Sequence, residues 1–269
     1  MRAALVDAAG TLHVSASGSR IVSLVPSITE LLCDLGLAGE LVGRTGFCVH
    51  PREIVRRIPK VGGTKDVDLD KVRALAPTHV ILNVDENRKE DAGALAEFVP
   101  SLVVTHPLAP LDNPALYRLI GGIFGREREA EALCARFEAE YAALRSQASA
   151  FRPERVLYLI WKNPWMTVSR DTYVSRMLAL VKWETVPDNA AERYPKIALE
   201  EAIGEVRVVL LSSEPYIFRE THVEELRAQL PDRTPRVALI DGEMTAWYGS
   251  RAIEALGYLA RFRREIDRG

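Results

Sequence analysis

The chain has 269 residues, 48% of them hydrophobic and 27% charged, with a formal net charge of -2. That balance is ordinary for a soluble globular protein of one large or two average domains. It gives no reason to expect nucleic acid or an anionic membrane as partner, and no apolar run approaches the roughly 18 residues that cross a bilayer.

The first 20 residues lack the hydrophobic core of a secretory signal. The chain as written is therefore expected in the cytoplasm, or in the periplasm if its start is misassigned. Residues 5–15 read as a short hairpin turning at Ala9 and Gly10. The β-rich run 20–26 ends at Pro26, and Ser27 with Glu30 three positions on spells a capping box for the next helix. A ligand there would meet unpaired backbone N–H groups and a helix dipole's positive end.

A second strand and loop cover 41–51, and a Gly-Gly turn at 62–63 leads to a helix with Asp68 and Asp70 in its acidic start. The apolar runs 78–83 and 101–105 read as buried parallel strands, with the polar stretch Asp85, Glu86, Arg88, Lys89, Glu90 and Asp91 opening a helix between them.

The organising element is the helix expected from Glu127 to Phe151. Ala130, Leu133, Phe137, Tyr141, Leu144, Ala148 and Phe151 form one stripe at spacings of three and four. About 25 residues at 1.5 Å each would span about 37 Å. Beyond it the strand–helix rhythm starts again, with strands at 155–160, 206–212 and 236–241 and a closing helix at 250–266. The expected fold is α/β: two Rossmann-like lobes with parallel sheets, residues 1–125 and 152–269, joined by one long backbone helix at 126–151.

Cys33, Cys48 and Cys134 are odd in number and widely spaced, which argues against a disulfide scaffold. No dinucleotide fingerprint, phosphate loop, nucleophile elbow, HExxH or CxxC is present. Cys48 and His50 are close enough in sequence to raise a soft-metal or axial-ligand role. Trp161, Trp165 and Trp247, with Tyr194 and Tyr248, fall in loops beyond strands, where open α/β sheets bind ligands. Aromatic residues there point to a large, flat-faced ligand.

The stretches RIVSLVPSITELLCDLGL, LVGRTGFCVHP and IPKVGGTKDVDLDKVRALAPTHVI, with the two-lobe layout, resemble the helical-backbone substrate-binding proteins of ABC importers, and among them the cobalamin-binding branch. The resemblance covers about residues 20 to 266. It implies a ligand cleft between the lobes and a binding protein that needs no cofactor, performs no catalysis and works as a monomer. Its ligand would be cobalamin or a related corrinoid or metal chelate. Alternatives are a haem, siderophore or bare metal-ion binder, or a cytoplasmic enzyme on the same fold.

Carried over by position, the resemblance assigns to the ligand Phe47, His50, Thr64, Asn83, Trp161, Tyr194, Trp247, Tyr248 and Arg251; Pro26 and Ser27 at the helix start, Cys48, Lys65 and Trp165 are expected to join them. Thr64 and Asn83 stand where the cobalamin-binding relatives have tryptophan. Asp70 and Glu200 match the surface acids, one per lobe, that dock on the importer's membrane subunit.

Overall fold

The computed structural model describes residues 4–188, 191–204, 206–230 and 235–268, which leaves the first three residues of the N-terminal stretch outside. The chain divides into two compact units. Unit 1 comprises Met1–Pro107, Leu111–Phe137 and Tyr248–Arg251; unit 2 comprises Leu108–Pro110, Glu138–Trp247 and Ala252–Gly269.

Unit 1 opens with the expected hairpin, β1 (Leu5–Val6) and β2 (Leu12–His13), with Gly10 at φ +80°. Asp7 closes it, accepting from the Ala9 and Thr11 amides and from the Val104 amide across the sheet. The main sheet holds β3 (Ile21–Ser23), β4 (Leu41–Arg44), β5 (His79–Asn83) and β6 (Ser101–Thr105). Its order is β4-β3-β5-β6, and all pairings are parallel. β5 is buried at all five positions, as a near-continuous apolar strand between helical layers should be. The helices are α1 (Pro26–Asp34), α2 (Arg52–Val55), α3 (Leu69–Ala74), α4 (Lys89–Ala96) and α5 (Asn113–Ile123). Val22, Leu24, Val61, Val72, Val80, Leu82 and Leu95 form one core of this unit.

α6 (Glu127–Ala148) is the helix within which the chain passes from unit 1 to unit 2. Its stripe is buried as its spacing requires, at Ala130, Leu133 and Phe137 in one unit and Leu144 and Ala148 in the other. It stops three residues short of Phe151. Ala150 and Phe151 turn tightly onto the Gln147 and Ala148 carbonyls ahead of Pro153, which fits a tightened last turn.

The start of α1 also differs from expectation. Val25 is its N-cap, Pro26 occupies the first turn, and no side chain caps it. Pro26 already supplies the fixed φ that suits a first turn. Glu30 does not reach back as a capping box would, because both its oxygens take the Arg251 fork at 2.6 and 2.8 Å.

Unit 2 is built on β7 (Glu154–Trp161), β8 (Met166–Thr167), β9 (Trp183–Thr185), β10 (Val208–Ser212) and β11 (Arg236–Ile240). The path β11-β10-β7 is parallel; β7 pairs β9 in parallel along its first residues and β8 antiparallel near its end. Its helices are α7 (Tyr173–Ala179), α8 (Leu199–Ile203), α9 (Glu220–Gln229), α10 (Glu243–Ala246) and α11 (Arg251–Arg268). Leu157, Leu159, Val209, Leu211, Phe218, Val223, Leu226 and Val237 form its core on one face.

Candidate ligand-binding site

Because the four strands of the unit 1 sheet run parallel, the segments leaving β3, β4, β5 and β6 emerge at one edge. Pro26 and Ser27 begin α1 there and are buried. Phe47 is the exposed side chain of the β4 loop, at 63%. Cys48 faces the other way. Its sulfur is fully buried, accepts from the Thr29 hydroxyl at 3.0 Å, and lies 3.2 Å from Thr45 Oγ1. Burial pushes its thiol up despite those bonds. Among the described residues, no three His, Cys, Asp or Glu side chains are grouped to hold a metal ion.

Asn83 ends β5, is buried and organises the loop that follows. Its Oδ1 accepts the Asp85 and Glu86 amides, and its Nδ2 donates to the Thr105 carbonyl. Asn87 ties the same loop to the Thr64 carbonyl at 3.0 Å, and Lys65 Nζ donates to the Asp85 carbonyl at 2.7 Å.

Tyr248 completes this edge. Its hydroxyl donates to Glu86 Oε1 at 2.6 Å. Gly249, at φ +80°, donates to Asn113 Oδ1 and accepts from Tyr117 Oη, which pins the segment to unit 1. An added Cβ on Gly249 would stand 3.2 Å from the Ser27 carbonyl oxygen, so glycine serves both the φ and the close approach. Desolvation raises the Glu86 carboxyl to about 7, against the opposing Tyr248 hydrogen bond and Lys65 charge. Arg251 has its fork on Glu30. The His106 ring approaches Asp85 at 3.5 Å.

In unit 2 the equivalent edge is aromatic. Trp161 ends β7 and remains 40% exposed, edge-on to Tyr216 at 5.6 Å. Tyr216 tilts against Phe218 at 4.7 Å, and Trp165 stacks on Phe218 with an interplanar angle of 1°. Tyr194, also exposed, lies in a segment that bonds along β8: Thr167 donates to Pro195 and Ser169 to Arg193. Trp247 is buried and its indole N–H donates to Glu214 at 2.8 Å, so it supports the edge from within. Ser213, Glu214, Phe218, Asp241 and Glu243 line a cavity of about 420 Å³ beyond β10 and β11.

The sequence reading missed Tyr216, Phe218 and this acidic cavity. Aromatic residues two apart just past the apolar run 206–212 were the available signal. Asp70 and Glu200 are exposed acids, each in the first turn of a helix, one in each unit.

The model of a family described as periplasmic binding protein matches residues 21–228. The chain belongs to that family. Known members and neighbours agree on the fold and differ in what their names say they bind. The vitamin B12-binding protein of Vibrio parahaemolyticus is 23% identical over 212 residues, 79% of this chain and 77% of that protein. A Bacillus subtilis protein known only as an ABC transporter substrate-binding lipoprotein is 26% identical over 170 residues, 60% of this chain and 53% of its own. The periplasmic vitamin B12-binding protein of Vibrio cholerae superposes with a TM-score of 0.79 at 15% identity, covering 94% of this chain and all of its own. A periplasmic heme-binding protein from Roseiflexus superposes at 0.80 with 25% identity, covering 92% and 98%. The names of these relatives describe binding proteins, one of them of an ABC transporter. Among the described residues, no helix is long and apolar enough to cross a membrane.

Proposed function

We propose that this family member binds a corrinoid, cobalamin or a close relative, without catalysis and hands it to the membrane subunits of an ABC importer. Delivery outside the cytoplasmic membrane, the compartment in the family's name, goes with that reading. So does docking through Asp70 and Glu200, which their exposure permits.

The observation that carries the reading is the chemistry of the two strand-end edges. Unit 2 offers the exposed faces of Trp161 and Tyr194, which suit a broad apolar ring system. Carboxylates stand nearby, Asp85 and Glu86 in unit 1 and Glu214, Asp241 and Glu243 in unit 2, alongside the cations Lys65, Lys162 and Arg193. Arg251, the guanidinium expected to meet an anionic ligand edge, is committed to Glu30. Carboxylates accept from the amide N–H groups around a corrin ring. They repel the two propionates of haem, and like charges brought together in a desolvated site cost several kcal/mol.

Haem remains the second reading, because the Roseiflexus neighbour is a heme-binding protein at 25% identity. Titrating cyanocobalamin, cobinamide and haemin, followed by visible absorption and tryptophan fluorescence, separates them. The expected result is a corrinoid dissociation constant of about 1 µM or tighter, near -8 kcal/mol, with haemin at least tenfold weaker. Tighter haemin binding would overturn the charge argument. No binding by any of the three below about millimolar would end the tetrapyrrole reading.

A further inference from the structure

The amino-end edge of the unit 2 sheet is built differently. The starts of β7 and β10 and the last turns of α11 enclose a cavity of about 660 Å³. Arg152 and Arg155 reach it from the start of β7, Arg207 from just ahead of β10, and Arg263 from α11; Glu154 and Asp267 are its two carboxylates. Both carboxylates are engaged by Arg263, which lies 3.2 Å from Glu154 through Nη1 and 3.0 Å from Asp267 through Nε.

Arg263 is the floor of the cavity. Its side chain is 4% exposed, and its guanidinium lies 5.2 Å from the Trp183 ring centroid and 5.6 Å from that of Phe151. Nη1 is buried, and its contact with Glu154 is an ion pair without hydrogen-bond geometry. The two rings and the two carboxylates hold the fork in place before any ligand arrives. Asp188 also pairs with Arg155 at 3.4 Å, so three carboxylates stand against four guanidinium groups and the positive excess is one charge.

We propose that this cavity is a binding site for a small polyanion, a molecule carrying two or more phosphate or carboxylate groups. The volume is that of a small-molecule pocket. Guanidinium forks match phosphate and carboxylate oxygens two at a time, and a concave site with an excess of one sign of charge favours the opposite one. The cavity lies at the sheet edge opposite Trp161 and Ser213, so an anion there leaves the corrinoid reading untouched.

The test is calorimetric titration with sodium tripolyphosphate, at low salt and at high salt, on the wild-type chain and on Arg152→Ala/Arg207→Ala. Both replaced residues are exposed, and circular dichroism with a thermal melt checks the fold of the variant. The expected result is one saturable site at about 100 µM or tighter in low salt, weakened tenfold or more in the variant. Absence of saturable heat overturns the proposal, and so does equal affinity in the two chains. Phosphate could also arrive as a lipid headgroup. Vesicles of phosphatidylglycerol that bind while tripolyphosphate does not would overturn the small-anion site in favour of a membrane contact.

Discussion

At the carboxyl edge of the unit 1 sheet, the loops are held by hydrogen bonds from buried or half-buried polar groups: Asn83 to the 85–87 turn, Asn87 to Thr64, Tyr248 to Glu86. At the same edge of unit 2, the loops are held by rings: Trp165 on Phe218, Phe218 on Tyr216, Tyr216 on Trp161. The two edges should therefore fail in different ways. A hydrogen-bonded edge that includes a desolvated carboxyl answers to pH, whereas a stacked edge answers to lost volume and to little else.

Phe218→Ala breaks the stacked edge most directly, because Phe218 is buried and touches Trp165, Tyr216 and the His222 ring. Removing such a phenyl group costs about 3–5 kcal/mol. At roughly 2–4 °C per kcal/mol for a chain region of this size, the melt of unit 2 should fall by about 6 °C or more. A shift within about 1 °C would mean that the rings are ornament on an edge held by its backbone.

Glu86→Gln sharpens the contrast from the other side. The folded carboxyl is raised from 4.5 to about 7, so between those values the folded chain keeps a proton that the unfolded chain has released. Stability therefore falls as pH rises from about 4.5 to about 7, and the loss is complete above that. Its ceiling is roughly 3 kcal/mol, less for the partial exposure of the residue. The charged groups facing Glu86 are Lys65 and the Asp85 carboxylate, with His106 beyond Asp85. Glutamine still accepts from Tyr248 and cannot titrate. Urea unfolding at pH 5 and pH 8 should show the wild-type decline flattened in the variant, and an equal decline in both chains would remove Glu86 as its source.

The sequence carried the parts of this comparison that depend on period. The apolar runs of β5 and β10 and the three-and-four stripe of α6 each declare burial locally, and each is buried as read. The aromatic residues beyond β7 were visible for the same reason. What escaped has long separation: Arg251 to Glu30 across 221 positions and Tyr248 to Glu86 across 162. Such pairs decide which charges are spent and which are available, and no local pattern announces them. The false capping box at Ser27 is the same failure: Glu30 is near Ser27 in sequence, but its partner in space is Arg251.

The smallest effect on stability, and the most telling for function, is expected at Trp161. Its ring is 40% exposed and touches Tyr216 only by an edge. Truncating it should cost stability within about 1 kcal/mol, as for most exposed positions. If its open face stacks on a corrin ring, Trp161→Ala should weaken cobinamide or cobalamin by about 1–3 kcal/mol, roughly fivefold to 150-fold in dissociation constant. The measurement pairs a melt with the absorption titration on the same sample. A weakened ligand with an unshifted melt places Trp161 at the ligand. A melt that falls with affinity unchanged makes Trp161 one more member of the stack that holds Phe218, and the flat face that the sequence pointed to would have to be sought at Tyr194 instead.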